Sequence, residues 1–171
     1  MATKTLTAVA DYLRMSFEDG DHEFVDGEVV CRNVGNRTHS WIQRDLVQAL
    51  LRSIQRPDLV VFPELRFQAT PTRYRIPDVG VWLDRDAIAE VPTVPPILAV
   101  EILSPEDRIS RVVEKVEEYL TIGVDTVWVI DPALRNATIY SSDDRAGRVS
   151  FELPCPSLHL QISIESVLHP R

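Results

Sequence analysis

The sequence predicts a single mixed α/β domain, in which a sheet is flanked by helices. The chain has 171 residues and 44% hydrophobic content, which is enough for one domain with a proper core. Apolar residues recur at helical spacing in two long segments, 38–54 and 104–122. Short apolar runs without a helical period, such as 96–103 and 126–130, are typical of buried strands. We therefore expect one domain over residues 1–171.

The N-terminal half is predicted to form two helices, a hairpin and two strands. The dipeptide Asp26-Gly27 is typical of a tight turn between two strands. Ile42, Leu46 and Leu50 lie on one apolar face of a helix. The predicted elements are a helix at 7–17, a hairpin at 24–30, a helix at 38–54, and strands at 59–68 and 74–83.

The C-terminal half is predicted to contain one further helix and several strands. The run from Ser104 to Asp107 combines a capping serine, a proline and two acids, which favours a helix start. We expect this helix to end at Gly123. Its predicted buried residues are Ile109, Val112, Val113, Val116 and Leu120. The predicted strands lie at 96–103, 126–130, 137–140, 149–153 and 158–162.

Two carboxylates interrupt these apolar strands and are the main functional signal. Asp78 heads one apolar run and Glu101 lies inside the next. An uncompensated buried carboxylate costs on the order of several kcal/mol, so two on consecutive strands suggest a shared cation. Hard oxygen ligands of this kind suit magnesium or manganese. The structural alternatives are that Asp78 caps a turn or pairs with Arg75, and that Glu101 pairs with an arginine such as Arg73.

Lys115 is the third candidate. Only two of the 18 basic residues are lysines, Lys4 and Lys115. The surroundings of a lysine can tune it for proton transfer, which arginine does not readily perform. On the predicted helix Lys115 lies about 60° from Val112, at the margin of the apolar face, and can extend toward the strand ends. We expect it to orient an attacking water or to stabilise phosphate charge, with a chance lysine as the alternative.

The charge distribution favours a nucleic-acid partner in one segment. The net charge of −8 argues against nucleic-acid binding as a whole-chain average. Segment 32–75, however, holds eight arginines against three acids, a net charge of +5 that leaves −13 for the rest. We expect Arg37, Arg44, Arg73 and Arg75 to contact phosphates. An ordinary solvated surface is the equal alternative.

Four motifs, in this order, resemble the Uma-two family of bacterial proteins in the PD-(D/E)XK restriction-endonuclease-like superfamily. They are Ile-Pro-Asp-Val at 76–79, Ala-Val-Glu-Ile-Leu-Ser-Pro at 99–105, Glu-Lys-Val-Glu-Glu-Tyr at 114–119 and Gly-Val-Asp-Thr-Val-Trp-Val-Ile-Asp-Pro at 123–132. Segment 23–28 and His39 match the family's N-terminal pattern, so the resemblance covers about residues 8–168. It implies a restriction-endonuclease-like core sheet flanked by helices, with an extra N-terminal hairpin and C-terminal strands, and a divalent-metal phosphodiesterase site.

The resemblance implies a role for each matching residue. Asp78 matches the aspartate of the Pro-Asp motif, and Glu101 matches the acidic residue of the (D/E)XK motif. The backbone carbonyl of Ile102 is a further metal ligand by analogy. Leu103 stands where the superfamily carries its lysine. In this family a lysine on the following helix is thought to substitute, and here that residue is Lys115.

Three further residues are candidates for lining the site. The glutamate that many superfamily members carry on the helix before the sheet has no clear counterpart here. Glu64 and Glu28 are the candidates to take its place. His39 is a candidate as well, against the alternative of a helix-start or core histidine.

The sequence therefore predicts a magnesium- or manganese-dependent endonuclease that hydrolyses DNA. The resemblance to nucleases that pair to cut both strands adds a homodimer as an expectation. The alternative is a catalytically inactive module of the same fold that binds nucleic acid or another partner. No run of about 18 apolar residues occurs, and the N-terminus lacks the apolar core of a signal peptide. We therefore expect a cytoplasmic protein without a membrane span.

Overall fold

The computed structural model describes residues 6–18, 21–33 and 35–168; the two ends of the predicted domain, with Lys4, lie outside these ranges. The helices are α1 (Val9–Tyr12), α2 (Arg37–Ser53) and α3 (Ile109–Thr121). The strands are β1 (His22–Val25), β2 (Glu28–Cys31), β3 (Leu59–Pro63), β4 (Phe67–Thr70), β5 (Arg73–Arg75), β6 (Val79–Leu83), β7 (Leu98–Ile102), β8 (Thr126–Asp131), β9 (Asn136–Ser141), β10 (Arg148–Ser150), β11 (Glu152–Cys155) and β12 (Leu160–Ser163). None of the helices in the described ranges is both long and apolar enough to cross a membrane.

The strands form three sheets. The first has the order β2-β1-β5-β4, the second has the order β10-β9-β8-β7-β6-β3, and β11 pairs with β12 alone. In the six-stranded sheet β7 and β8 run parallel and α3 connects them, while the other neighbours are antiparallel. This mixed α/β arrangement confirms the predicted fold class, with the hairpin before and the additional strands after the central sheet.

The register of β6 against β7 determines where the two candidate carboxylates lie. Gly80 pairs with Ala99 across the antiparallel ladder. Asp78 comes directly before β6, and Glu101 is the last residue but one of β7. Because side chains alternate between the two faces of a sheet, both carboxylates lie on the face of Gly80 and Ala99.

The six-stranded sheet is covered on both faces. Helix α2 and the β11–β12 ribbon pack on one face, where Leu46 contributes to the same buried cluster as Val100. Helix α3 packs on the other face, where Leu120 belongs to a cluster with Trp82. Burial of each such side chain stabilises the fold by about 1.5–3 kcal/mol. The carboxylate-bearing face is therefore the face that α3 covers.

Gly80 lies under an indole ring. A Cβ on Gly80 would lie 2.3 Å from Cζ3 of Trp82, which is fully buried. The indole nitrogen of Trp82 donates to the carbonyl of Val94 at 3.1 Å and so ties down the segment before β7. Only a residue without a Cβ fits at this position.

Several predicted strands are divided in the structure. The strand predicted at 59–68 breaks at Glu64, whose φ of 52° lies in the left-handed region. The strand predicted at 74–83 breaks at Pro77, which has no N–H for a ladder, and the chain passes there between the two larger sheets. The strand predicted at 149–153 is interrupted at Phe151.

Helix α3 begins at Ile109, later than the capping signal predicts. Asp107 Oδ2 accepts a hydrogen bond from the backbone nitrogen of Ser104 at 2.7 Å and so closes a turn, and Arg108 is extended. The predicted burial of Ile109 and Val113 was wrong as well, since they are 62% and 42% exposed.

Helix α1 is also shorter than the predicted segment 7–17. The chain turns after Tyr12, and the ring of Phe17 packs against that of Tyr12 with centroids 6.4 Å apart. The apolar residues of this segment therefore pack together across a turn, although their spacing is also that of a longer helix.

Candidate functional site

A cleft opens where the first hairpin meets the ends of the central strands. It has a volume of about 630 Å³ and is bordered by the β1–β2 hairpin, the residue before β6, the end of β7 and the first turns of α3. Asp78, Glu101, Lys115 and His39 all line it. The structure thus brings together four candidate residues that lie far apart in the sequence.

Asp78 is buried and accepts hydrogen bonds at both carboxylate oxygens. Oδ1 accepts from Arg32 Nη2 at 2.5 Å, and Oδ2 accepts from the backbone nitrogen of Ile102 at 2.7 Å. Oδ2 also lies 3.3 Å from His39 Nε2. Burial raises the pKa of Asp78, but the bond to His39 and the charge of Arg32 outweigh burial and lower it overall. Asp78 is therefore ionised at neutral pH, and its cation is Arg32 rather than Arg75.

Glu101 lies in a different electrostatic environment. Its carboxylate is 2.9 Å from Lys115 Nζ and accepts a hydrogen bond from the Tyr119 hydroxyl at 2.9 Å. Burial is the largest cause that raises the pKa of Glu101 to about 7, the charges of Asp78 and Glu23 add to it, and Lys115 opposes it. Near neutral pH this carboxyl group is therefore divided between its protonated and ionised forms.

Lys115 reaches the cleft from α3, as its position at the margin of the apolar face suggests. Its Nζ lies 2.7 Å from Glu23 Oε1 and donates to the carbonyl of Ile76 at 3.2 Å, in addition to its contact with Glu101. Burial lowers the pKa of Lys115, but the charges of Glu101 and Glu23 outweigh burial and raise it. The side chain therefore remains an ammonium group and acts as a hydrogen-bond donor.

Glu23 completes this cluster, although sequence reasoning did not single it out. It is 5% exposed, and its Oε1 accepts from the backbone nitrogen of Ile76 at 3.0 Å. Its Oε2 accepts from Arg75 at 2.9 Å, and Arg75 also donates to Glu118 at 2.6 Å. These buried ion pairs hold one side of the Lys115 ammonium group in place.

Of the two acids considered for the missing glutamate, Glu28 lines the mouth of the cleft and is exposed. Glu64 is not part of the cleft lining, and its Oε1 lies 3.6 Å from Arg32 Nη1. The buried acid beside Glu101 and Lys115 is instead Glu23. The one signal that could have identified Glu23 is its position at the start of segment 23–28, which matches the family's N-terminal pattern.

Arg75 does not have the exposed position that phosphate contact requires, and Arg73, whose side chain is 36% exposed, is already paired with two acids. Arg75 is 9% exposed and lies between Glu23 and Glu118. Arg73 donates to Asp26 and Glu118, so it is not the partner of Glu101. A guanidinium group that already neutralises one or two acids adds little net attraction for a polyanion.

The other two predicted arginines lie on α2, outside the cleft lining. Arg37 stacks on the Trp41 ring at 3.9 Å, and Arg44 pairs with Asp45. Two arginines that the sequence did not single out, Arg108 and Arg111, line the cleft and are exposed. Neither forms an ion pair within the described part of the chain, so they are the cations that the cleft offers to a phosphate.

Asp78 and Glu101 fit a divalent ion by the chemistry of their donors. Over the described ranges, no three His, Cys, Asp or Glu side chains are grouped so as to hold a metal by themselves. Magnesium, however, binds through one or two carboxylates and keeps several waters. A carboxylate oxygen has about two acceptor positions. Asp78 Oδ1 and Glu101 Oε2 each accept one side-chain hydrogen bond, so each retains acceptor capacity for a cation.

Comparison with known proteins identifies a similar fold and the family of the chain. The chain is similar to the crystal structure of "a putative nuclease belonging to DUF820" from Anabaena variabilis, with a TM-score of 0.82 and 22% identity over 92% of this chain and 95% of that one. This likeness confirms the predicted fold. No curated protein matches the chain. The model of Uma2, a family described as "Putative restriction endonuclease", matches residues 9–163. Because this match spans most of the chain, the protein belongs to the Uma2 family.

Proposed function

We propose that the protein is a divalent-metal-dependent endonuclease that hydrolyses phosphodiester bonds of DNA. The observation that carries the proposal is the convergence of Asp78 and Glu101, from adjacent strands, on one cleft where an ammonium group lies 2.9 Å from Glu101. In this proposal Asp78, Glu101 and the backbone carbonyl of Ile102 hold Mg²⁺ or Mn²⁺.

The metal and the chain supply different parts of the chemistry. When bound, the ion supplies Lewis-acid stabilisation of phosphate charge and a water of lowered pKa. Hydrolysis joins the water oxygen to phosphorus and breaks one phosphorus–oxygen ester bond, and negative charge increases on the phosphoryl oxygens. The attacking water releases a proton to solvent, and the leaving sugar oxygen takes up a proton from solvent. The Lys115 ammonium group exchanges its longest bond, 3.2 Å to the Ile76 carbonyl, for one to the water, and its positive charge stabilises the phosphoryl oxygens. Glu23 and Tyr119 fix Lys115 and Glu101, so little reorientation accompanies the reaction.

The charge of the cleft supports metal-dependent binding of the substrate. Eight acidic side chains line the cleft against five arginines and lysines. Without an added cation this lining repels a polyanion. A divalent ion attracts phosphates, as do Arg108 and Arg111, which have no ion-pair partner among the described residues. DNA binding is therefore expected to require the metal and to weaken as salt rises.

Calorimetry and a plasmid cleavage assay test the proposal together. We expect Asp78→Asn and Glu101→Gln to lose Mn²⁺ binding and cleavage. Lys115→Met is expected to keep Mn²⁺ binding but to lose about 10²-fold or more in cleavage rate, since the positive charge that stabilises the transition state is gone. The matched control is Glu106→Gln, an exposed acid of the same cleft, which should behave as wild type. Equal Mn²⁺ affinity in wild type and both carboxylate variants would rule out this site.

A catalytically inactive module is the second candidate, and one observation favours it. Asp78 and Glu101 are already neutralised by the chain's own cations, Arg32 and Lys115, as in a purely structural ion cluster. In that case Mn²⁺ would leave the melting temperature of the wild type unchanged. Stabilisation by Mn²⁺ in the wild type that is absent in Glu101→Gln favours the enzyme.

The proposal includes a homodimer, because one cleft of this kind cuts one strand at a time. Two clefts in a dimer then cut both strands of a duplex without its release. Sedimentation velocity of the free protein and of the protein with Ca²⁺ and duplex DNA tests this part, and a monomer under both conditions would contradict it.

A further inference from the structure

Arg32 is the cation nearest to Asp78, and the proposed chemistry gives it no role. It follows β2 and turns its side chain into the cleft, where only 16% of that side chain is exposed. Its Nη2 lies 2.5 Å from Asp78 Oδ1. This is one of the two oxygens that retain acceptor capacity for a metal.

The acids around Arg32 are the acids of the candidate metal site. Burial lowers the pKa of Arg32, but the charges of Asp78, Glu101, Glu23 and Glu64 outweigh burial and raise it. The guanidinium group is thus held by the field of both candidate metal ligands at once. The same field attracts a divalent ion to the same place.

Arg32 and Lys115 differ in how firmly they are held. Lys115 has three acceptors, from Glu23, Glu101 and the Ile76 carbonyl. Apart from Asp78, Arg32 has Glu64 as its nearest acid, 3.6 Å away, and the Glu64 side chain is 46% exposed. Arg32 therefore has a second acid on the solvent side that can accept its charge, whereas Lys115 is enclosed.

We propose that Arg32 is a resident counterion of the metal site, which competes by its charge with a divalent ion at Asp78 and is displaced when the ion binds. On displacement the guanidinium group moves toward Glu64. The proposal rests on the proposed function, because it takes Asp78 and Glu101 as the metal ligands. It assigns Arg32 a positioning role, as a competitor that sets metal affinity.

Titration of Mn²⁺ into the 171-residue protein, without nucleic acid, tests the competition. Removal of the competing charge in Arg32→Gln is expected to tighten Mn²⁺ binding about tenfold. The gain should vanish in the double variant Arg32→Gln/Asp78→Asn. The matched control is Arg56→Gln. It breaks the surface ion pair between Arg56 and Asp58, whose atoms are 2.6 Å apart, and should leave Mn²⁺ affinity unchanged.

A second variant and a second readout cover the case in which Arg32→Gln does not fold. Arg32→Lys keeps a charge but offers Asp78 a point charge instead of a planar fork, so a smaller gain in affinity is expected. Mn²⁺ should also raise the melting temperature of a folded Arg32 variant more than that of the wild type.

The outcomes separate this proposal from the proposed function. If wild type and Arg32 variants bind Mn²⁺ equally and Asp78→Asn does not bind it, the metal site stands and the displacement of Arg32 is wrong. Weaker binding by the Arg32 variants also overturns the displacement. If neither the wild type nor any Arg32 variant binds Mn²⁺, the metal site itself fails. Binding by Arg32→Gln that exceeds wild-type binding supports both.

Discussion

Asp78 and Glu101 belong to adjacent strands, face the same cleft and are buried to a similar degree, yet their pKa values are shifted in opposite directions. Their side chains are 6% and 12% exposed. The pKa of Asp78 is lowered, whereas that of Glu101 is raised to about 7. Burial acts in the same sense on both, so the difference arises from the groups around them.

The number of donors and the sharing of cations decide the difference. The Asp78 carboxylate is contacted by Arg32, by His39 and by the backbone nitrogen of Ile102. Glu101 has one cation, Lys115, which it shares with Glu23, and its other donor is a neutral hydroxyl. The charge of Asp78 is therefore fully compensated, whereas the charges of Glu101 and Glu23 share one cation. An added cation is expected to stabilise ionised Glu101 more than ionised Asp78.

Removal of the shared cation should give the largest effect on the fold. In Lys115→Met, Glu101 and Glu23 lose the ammonium group between them, and we expect a loss of about 3–5 kcal/mol in unfolding free energy at pH 8. The loss should be smaller at pH 6, where Glu101 takes up a proton. Urea denaturation at both pH values measures it. The control Arg145→Gln breaks the exposed pair with Glu117 and should cost less than about 1 kcal/mol. A loss of less than about 1 kcal/mol in Lys115→Met would show that the ammonium group does not stabilise Glu101 and Glu23.

The pH dependence of stability should reveal the raised pKa of Glu101. The folded state holds a proton on Glu101 up to about pH 7, whereas the unfolded state releases it near 4.5. The folded state therefore binds more protons between these values, and stability falls as pH rises from 4.5 to 7. The loss from this group is up to about 3 kcal/mol. Denaturation from pH 5 to 8 measures it, and an unchanged pH profile in Glu101→Gln would contradict the assignment.

At the Asp78 end the expected effect on stability is smaller. Burial lowers the pKa of His39, but its bond to Asp78 outweighs burial and raises it. NMR titration should show a lower His39 pKa in Asp78→Asn than in wild type. His39→Gln removes a bond to a carboxylate that keeps two other donors, so we expect a loss of about 1–2 kcal/mol in stability. An unchanged His39 titration in Asp78→Asn would show that the two groups are not in contact.

The smallest effect on the fold is expected at the mouth of the cleft. Arg108→Gln and Arg111→Gln should change stability by less than about 0.5 kcal/mol, because both side chains are exposed and unpaired within the described ranges. Each should reduce the salt dependence of DNA binding by about one counterion. Fluorescence anisotropy with Ca²⁺ at several salt concentrations measures this. Arg44→Gln, outside the cleft, is the control, and an equal effect there would place the phosphate contacts elsewhere.

The candidate site could be predicted in part because its members stand out locally. Asp78 and Glu101 are charges in apolar runs, and Lys115 is the only lysine after Lys4. Glu23 and Arg32 lack such a signal. Glu23 lies in an acidic hairpin, and Arg32 is one of eight arginines in its segment, so their burial depends on pairing with elements far along the chain.

The errors in the prediction have the same origin. The net charge of segment 32–75 suggested a basic surface, but Arg73 and Arg75 turn toward Glu118 on a helix that the segment does not include. Ser104 and Asp107 carry the composition of a helix start, yet they bond to each other and close a turn. Composition and capping signals describe a segment alone, whereas these residues are placed by contacts that the segment does not contain.

The close approach of Gly80 and Trp82 limits which residues position 80 can hold. Every amino-acid substitution of Gly80 introduces a Cβ, which at this position would lie 2.3 Å from the indole ring. The ring would have to move, and with it the bond to Val94 that ties down the chain before β7. In a library of all single substitutions, position 80 should therefore tolerate glycine alone, even though the residue itself contributes no atom to the chemistry of the cleft.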